Sequence, residues 1–193
     1  MVLYKPLYFD PQLLDQLRAA ILAVVGRTAN GRTVNGRTAN RTTFVNHLSP
    51  NLQYRINTQF AANGLPRYRG CMVFRRSHSA PAAAESAHID GNGVDFTHCS
   101  VVVPIQGCIA TRLHWFHGDY TAVPSSHTDP FGYNTQWDLV WNGPGIPLDS
   151  VSIVEQPYLC RVDIPHDYHR NTVEDRITCT FRLEGNPRFE SFI

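Results

Sequence analysis

At 193 residues the chain has the length of one domain, enough to bury a core without disulfides or metals as scaffolding. A formal net charge of +1 excludes a partner held mainly by a large opposite field, such as bulk nucleic acid. Hydrophobic content of 42% with 17% charged residues excludes a disordered or coiled-coil chain.

The first residues, "MVLYKPLYFDPQLL", lack a basic segment followed by an apolar run, and no stretch of about 18 apolar residues occurs. The expectation is a cytoplasmic protein with no membrane span. Cys71, Cys99, Cys108, Cys160 and Cys179 are odd in number and form no CxxC pair, which argues against zinc ribbons and disulfide frameworks. Lys5 is the only lysine, so a buried anion has to be gripped by arginine.

"DPQLLDQLRAAILAVVGR", residues 10–27, predicts an amphipathic helix: Asp10 caps it, Pro11 opens it, and apolar residues recur at helical spacing from Leu13 to Val25. Then comes "GRTANGRTVNGRTANRTT", residues 26–43, a five-residue repeat that matches neither helix nor strand and reads as a loop-like insertion. Its arginines, Arg27, Arg32, Arg37 and Arg41, read more readily as a solvated face than as a site for an acidic partner.

From residue 67 onward eight short strand-like runs alternate with turn clusters: "YRGCMVF", "SAHID", "HCSVVVPI", "CIATRLHWF", "WDLVW", "VSIVEQ", "YLCRVDI" and "RITCTFRL". Eight strands after a helical segment predict a mainly β double-sheet jelly roll, because an α/β fold needs helices between its strands. The chain divides as a helical segment over 1–66, a β core over 67–183 and a tail over 184–193. The stretch 117–150, rich in Pro, Gly, Ser, Asn and aromatics, reads as one long connection and a lid.

Three His-x-Asp triplets occur: His88/Asp90, His117/Asp119 and His127/Asp129. Chance alone yields about half a match in a chain of this composition, so the triplet needs context. At a strand end the two side chains share a face and aim at one point. A second histidine completes a two-histidine, one-carboxylate set suited to Fe(II), and His166 and His169 are the later choices. The run "PHDYHRNTVEDRITCTFRL" reads as a hairpin that brings Arg176 and Thr178 opposite the histidine strand, about 5 Å away. An arginine there can clamp a carboxylate with two parallel hydrogen bonds.

The His-x-Asp, the histidine of "PH" about eighty positions on, and an Arg-x-Thr ten positions after it resemble the Fe(II)- and 2-oxoglutarate-dependent dioxygenases, over roughly residues 67–183. The resemblance implies a double-stranded β-helix, the cupin-like jelly roll, with the N-terminal helical segment packed on it. It implies Fe(II) on His88, Asp90 and His166, 2-oxoglutarate held by Arg176 and Thr178, and O2 as the oxidant. No catalytic residue beyond the metal ligands is expected. In that fold four strands must separate the triplet from the later histidine, which favours His88/Asp90 over the other two triplets. The ten-residue offset to Arg176 favours His166 over His169. "THCSVVVPIQGC" also looks like the corresponding strand of aspartyl/asparaginyl hydroxylase-like members, which sets His98 beside the co-substrate, with a strand-capping role as the alternative. The implied activity is hydroxylation of a C–H bond in an amino acid, a peptide side chain or a small metabolite. The competing readings are a cupin-like metalloprotein without 2-oxoglutarate and a non-catalytic jelly-roll module in which Arg176 pairs with Glu174 or Asp175.

Overall fold

Two six-stranded antiparallel sheets face one another in the computed structural model, which describes residues 1–28, 41–44, 48–76, 87–93, 95–109, 111–125, 134–170 and 176–193. The first sheet runs in the order β1 (Tyr4–Pro6), β10 (Tyr158–Arg161), β5 (Cys99–Gln106), β12 (Arg176–Leu183), β3 (Tyr68–Arg76), β2 (Arg41–Phe44). The second runs β7 (Tyr120–Pro124), β8 (Asn134–Trp141), β4 (His88–Gly93), β11 (His166–Arg170), β6 (Thr111–His117), β9 (Ile146–Ser152). This is the expected jelly roll, built with ten strands after residue 67 where the sequence predicts eight. Helices α1 (Pro11–Thr28) and α2 (Pro50–Ala62) cover the outer face of the first sheet.

α1 begins as predicted, with the Leu13 backbone N–H donating to Asp10 Oδ1 at 2.8 Å. It buries Leu13, Leu14, Leu17, Ile21 and Val25 along one stripe. α2 is a second helix, beyond the single one predicted over residues 10–27. Its signals are present in "SPNLQYRINTQF": Ser49 caps the N–H of Leu52, Pro50 occupies the first turn, and Leu52, Ile56 and Phe60 are buried at four-residue spacing.

The strands of the first sheet are apolar on one face and mixed on the other. Along β12 every residue is buried. Ile177, Cys179, Phe181 and Leu183 join the helices in one core, while Arg176, Thr178, Thr180 and Arg182 alternate with them and look toward the second sheet. β5 divides in the same way, with Val101 and Val103 in the helix-side core and Val102 in a second core that includes Leu113, Trp115 and Val151 of the facing sheet. A strand with polar residues at every second buried position is what an interior site requires.

Three expectations need correcting. The stretch 117–150 is no single long connection, since β7, β8 and most of β9 lie in it. Gly118 lies in the turn between β6 and β7 and "NGPG", residues 142–145, in the one between β8 and β9, while 126–133, with His127 and Asp129, falls outside the described residues. The chain also leaves the strand "YLCRVDI" at Arg161, and His166 opens a new strand in the opposite sheet. β11 and β12 are therefore not a hairpin: they belong to different sheets and face one another across the interior. Finally, six strands rather than four separate β4 from β11. Of the Arg/Asn repeat, the ends are the last turn of α1 and the start of β2, while 29–40, with Arg32 and Arg37, are outside the described residues, as are Glu174 and Asp175.

All five cysteines are free and buried. Burial pushes the Cys99 thiol from its ordinary 9.0 up to about 12, helped by the nearby Asp163 and Glu190 carboxylates, and burial likewise raises Cys160 and Cys179. The folded-state values lie above the unfolded ones, so above pH 9 the unfolded chain has shed thiol protons that the folded chain still holds. Stability is present below pH 9 and falls above it, by about 1.4 kcal/mol per pH unit for each such thiol. Chemical denaturation between pH 8 and 10.5 should show that decline, and Cys99→Ala should make it shallower; an unchanged slope in the variant would remove Cys99 from this account.

Candidate metal and co-substrate site

β4 enters the interior with His88 and Asp90 on the same face, two residues apart. β11 lies beside it in antiparallel register, with His166 opposite His88. The register alone therefore sets two imidazoles side by side, their ring centroids 4.6 Å apart. Asp90 Oδ1 is 3.6 Å from His88 Nε2 and 3.7 Å from His166 Nε2, and one ligand atom from each of the three residues lies within 4.8 Å of the others. All three are buried. Two imidazole nitrogens and one carboxylate oxygen, all converging from two neighbouring strands, form a donor set suited to a divalent transition metal.

The tautomer of His166 is set by its own backbone. Nδ1 lies 2.9 Å from the Ile164 carbonyl oxygen, which can only accept, so the proton belongs on Nδ1 and the lone pair of Nε2 points toward Asp90. Asp90 is fixed through its main chain: its N–H donates to Val162 O at 3.0 Å, and its carbonyl accepts from the N–H of Thr97 at 2.8 Å.

Across the interior stands Arg176, 1% exposed. Its guanidinium carbon is 3.8 Å from the centroid of the Tyr168 ring. Tyr168 is two positions beyond His166 on β11, hence on the same face, and this stack ties the arginine to the face that carries the triad. Thr178 is on the inward face of β12 beside it, and its Oγ1 is buried with no hydrogen-bond partner among the described residues. A buried hydroxyl left in that condition marks a place for an additional acceptor. Tyr168 was missed in the sequence, although its position two after the histidine is the signal that finds it.

The other sequence candidates make contacts of their own. His169 is on the outward face of β11, opposite Arg112, with its ring 5.8 Å from that of His114. His114 is held below the usual imidazole range, first by burial and then by His169 and Arg112. His117 and Asp119 are exposed at the β6–β7 turn. His98, just ahead of β5, directs Nδ1 to Asp163 Oδ2 at 3.1 Å, and its backbone N–H donates to Asn186 Oδ1.

No protein-family model matches the chain, and no curated protein does. Solved structures do. AviO1 from Streptomyces viridochromogenes Tue57 is similar with a TM-score of 0.53 and 17% identity over 96% of this chain and 91% of that one. A prolyl-4-hydroxylase from Pseudomonas putida gives 0.49 and 14% over 94% and 91%. HygX from Streptomyces hygroscopicus, solved with nickel and 2-oxoglutarate bound, gives 0.49 and 12% over 94% and 82%. The likeness to AviO1 is one of fold, and it extends over nearly the whole of both chains. No helix among the described residues is long and apolar enough to cross a membrane.

Proposed function

We propose that the chain is an Fe(II)- and 2-oxoglutarate-dependent oxygenase that hydroxylates a C–H bond of an amino acid, a peptide side chain or a small metabolite in the reducing cytoplasm. The supporting observation is the meeting of two different chemistries in one interior: a two-histidine, one-carboxylate set on the second sheet and a buried arginine with an unpartnered hydroxyl on the first. The residues fit both groups. When bound, Fe(II) with 2-oxoglutarate and O2 supplies the oxidising chemistry, in which the co-substrate is decarboxylated to succinate.

The chain's own residues bind and orient. His88 and His166 offer Nε2, and Asp90 offers a carboxylate oxygen; none of the three is needed as an acid or base. The Ile164 carbonyl keeps the His166 proton on Nδ1 and so keeps Nε2 free. Arg176 would present a planar fork to the far carboxylate of the co-substrate, its plane steadied by the Tyr168 ring, and Thr178 Oγ1 would donate a further hydrogen bond. Burial of Arg176, Thr178 and His166 keeps bulk water from competing for these contacts.

Anaerobic titration with Fe(II) and then 2-oxoglutarate tests this reading through the weak visible band of the chelate. In Arg176→Lys the band should require about 10- to 100-fold more 2-oxoglutarate, because a point charge replaces a bidentate fork, while Fe(II) binding is kept. Metal binding with no response to 2-oxoglutarate would instead indicate a cupin-like metalloprotein. Absence of metal binding would leave a non-catalytic module.

A further inference from the structure

Residues 161–165 carry the chain from the first sheet to the second, and we propose that Asp163 at their centre, held by Arg161 and His98, is the positioning residue of the metal centre. The inference rests on the metal reading above and adds to it the part of the chain that holds the ligands in place.

The crossover touches both strands of the triad. The Val162 carbonyl accepts from the N–H of Asp90, and the Ile164 carbonyl accepts from Nδ1 of His166. Asp163 lies between them in sequence, so two of the three ligands depend on the carbonyls that flank it. Its carboxylate is 14% exposed and engaged at both oxygens: Oδ1 accepts from Arg161 Nε at 2.8 Å, and Oδ2 is 3.1 Å from His98 Nδ1. Arg161 is itself paired with Glu190 at 2.7 Å, and its carbonyl accepts from the Trp115 indole at 2.8 Å.

The contact between His98 and Asp163 closes a loop around Asp90. Asp90 is bonded through its N–H to residue 162 and through its carbonyl to residue 97. Those two segments are joined to each other by the N–H of Val162 on the His98 carbonyl at 3.1 Å and by the imidazole on the carboxylate. Asn186, in the left-handed region at φ 46°, braces the same turn by accepting from the His98 N–H and donating to the Phe96 carbonyl. His98 therefore acts on the metal through Asp163 and the backbone of Asp90. Partners of this outer kind typically change metal affinity by about 10- to 100-fold.

Co(II) is a suitable probe, titrated into the full chain and followed by its visible absorption. Asp163→Ala and His98→Ala should each weaken Co(II) binding by about 10- to 100-fold and alter the absorption envelope, and Asp163→Asn, which keeps an acceptor for Arg161, should recover part of the affinity. Ile21→Ala is the control, since it opens a cavity in the helix-side core; it should melt earlier yet bind Co(II) like the parent. Wild-type affinity in Asp163→Ala and His98→Ala, or an equal loss in Ile21→Ala, overturns the inference. If Asp163→Ala does not fold, His98→Ala carries the decision. A parent protein that binds no Co(II) overturns the metal reading itself, a result distinct from a parent that binds and variants that bind equally well.

Discussion

Asp90→Ala is expected to abolish the stabilisation of the folded chain by Fe(II) while leaving the metal-free protein as stable as the parent or more so. Asp90 is the vertex of the site, 3.6 and 3.7 Å from the two imidazoles, and it is the only anionic member of the set. Losing an outer partner of a metal site costs about 10- to 100-fold in affinity, so losing a charged ligand should cost more than about 100-fold. Metal at a hundred times its dissociation constant stabilises the fold by about 2.7 kcal/mol, worth roughly 5–10 °C in a domain of this size. A hundredfold loss of affinity at the same metal concentration removes most of that rise. Without metal the sign differs: Asp90 is a carboxylate 8% exposed, and taking a charge out of such a place relieves desolvation. Thermal melts of parent and variant with and without Fe(II) under argon separate the two effects. An unchanged Fe(II)-dependent rise in the variant would remove Asp90 from the metal set, and a much lower metal-free midpoint would make it a structural residue.

The legible part of this fold was what short-range spacing encodes. His88 and Asp90 two apart, and Arg176 and Thr178 two apart, are face-sharing pairs on any strand, and the strands themselves were marked by β-branched runs such as "SVVVPI" and "RITCTF". What spacing does not encode is which sheet a strand joins. The run "DIPHDYHRNTVEDR" has the composition of a hairpin, yet Asp163, Ile164 and Pro165 already turn the chain into the opposite sheet before His166. The sheet choice follows from tertiary contacts that no local pattern carries, such as the Trp115 indole on the Arg161 carbonyl and the Phe116 N–H on the Pro165 carbonyl. β1 and β2 escaped for a related reason: three and four residues long, they exist by pairing with β10 and β3. α2 is a different matter, since its Ser49 cap and its four-residue apolar spacing are short-range signals that the sequence carries in full. Within the site, Tyr168 and Asp163 needed the fold, because a stacking ring and a clamped carboxylate are recognised by what they touch.

Phe181→Ala should cost about 3–5 kcal/mol of stability, on the order of 10 °C in melting temperature, and should spare the metal affinity of the molecules that remain folded. Phe181 is fully buried on the helix-side face of β12. Its ring meets Phe60 of α2 edge-on at 5.6 Å and Tyr68 of β3 at 5.0 Å, and Phe60 in turn meets Phe9 at 5.9 Å. One side chain thus joins the second helix to β3 and, through Phe60, to the N-terminal segment, and truncating it leaves a cavity that its rigid neighbours cannot collapse to fill. Thr180 and Arg182, the neighbours of Phe181 on β12, point the other way, toward the second sheet, so the loss falls on the layer that supports the site and not on the site itself. Melting followed by circular dichroism, paired with Co(II) titration well below the new midpoint, reads both halves. A small drop in midpoint would mean that the helices pack loosely on the sheet. A fall in Co(II) affinity in protein shown to be folded would mean that the two faces of β12 do not divide the labour between support and chemistry.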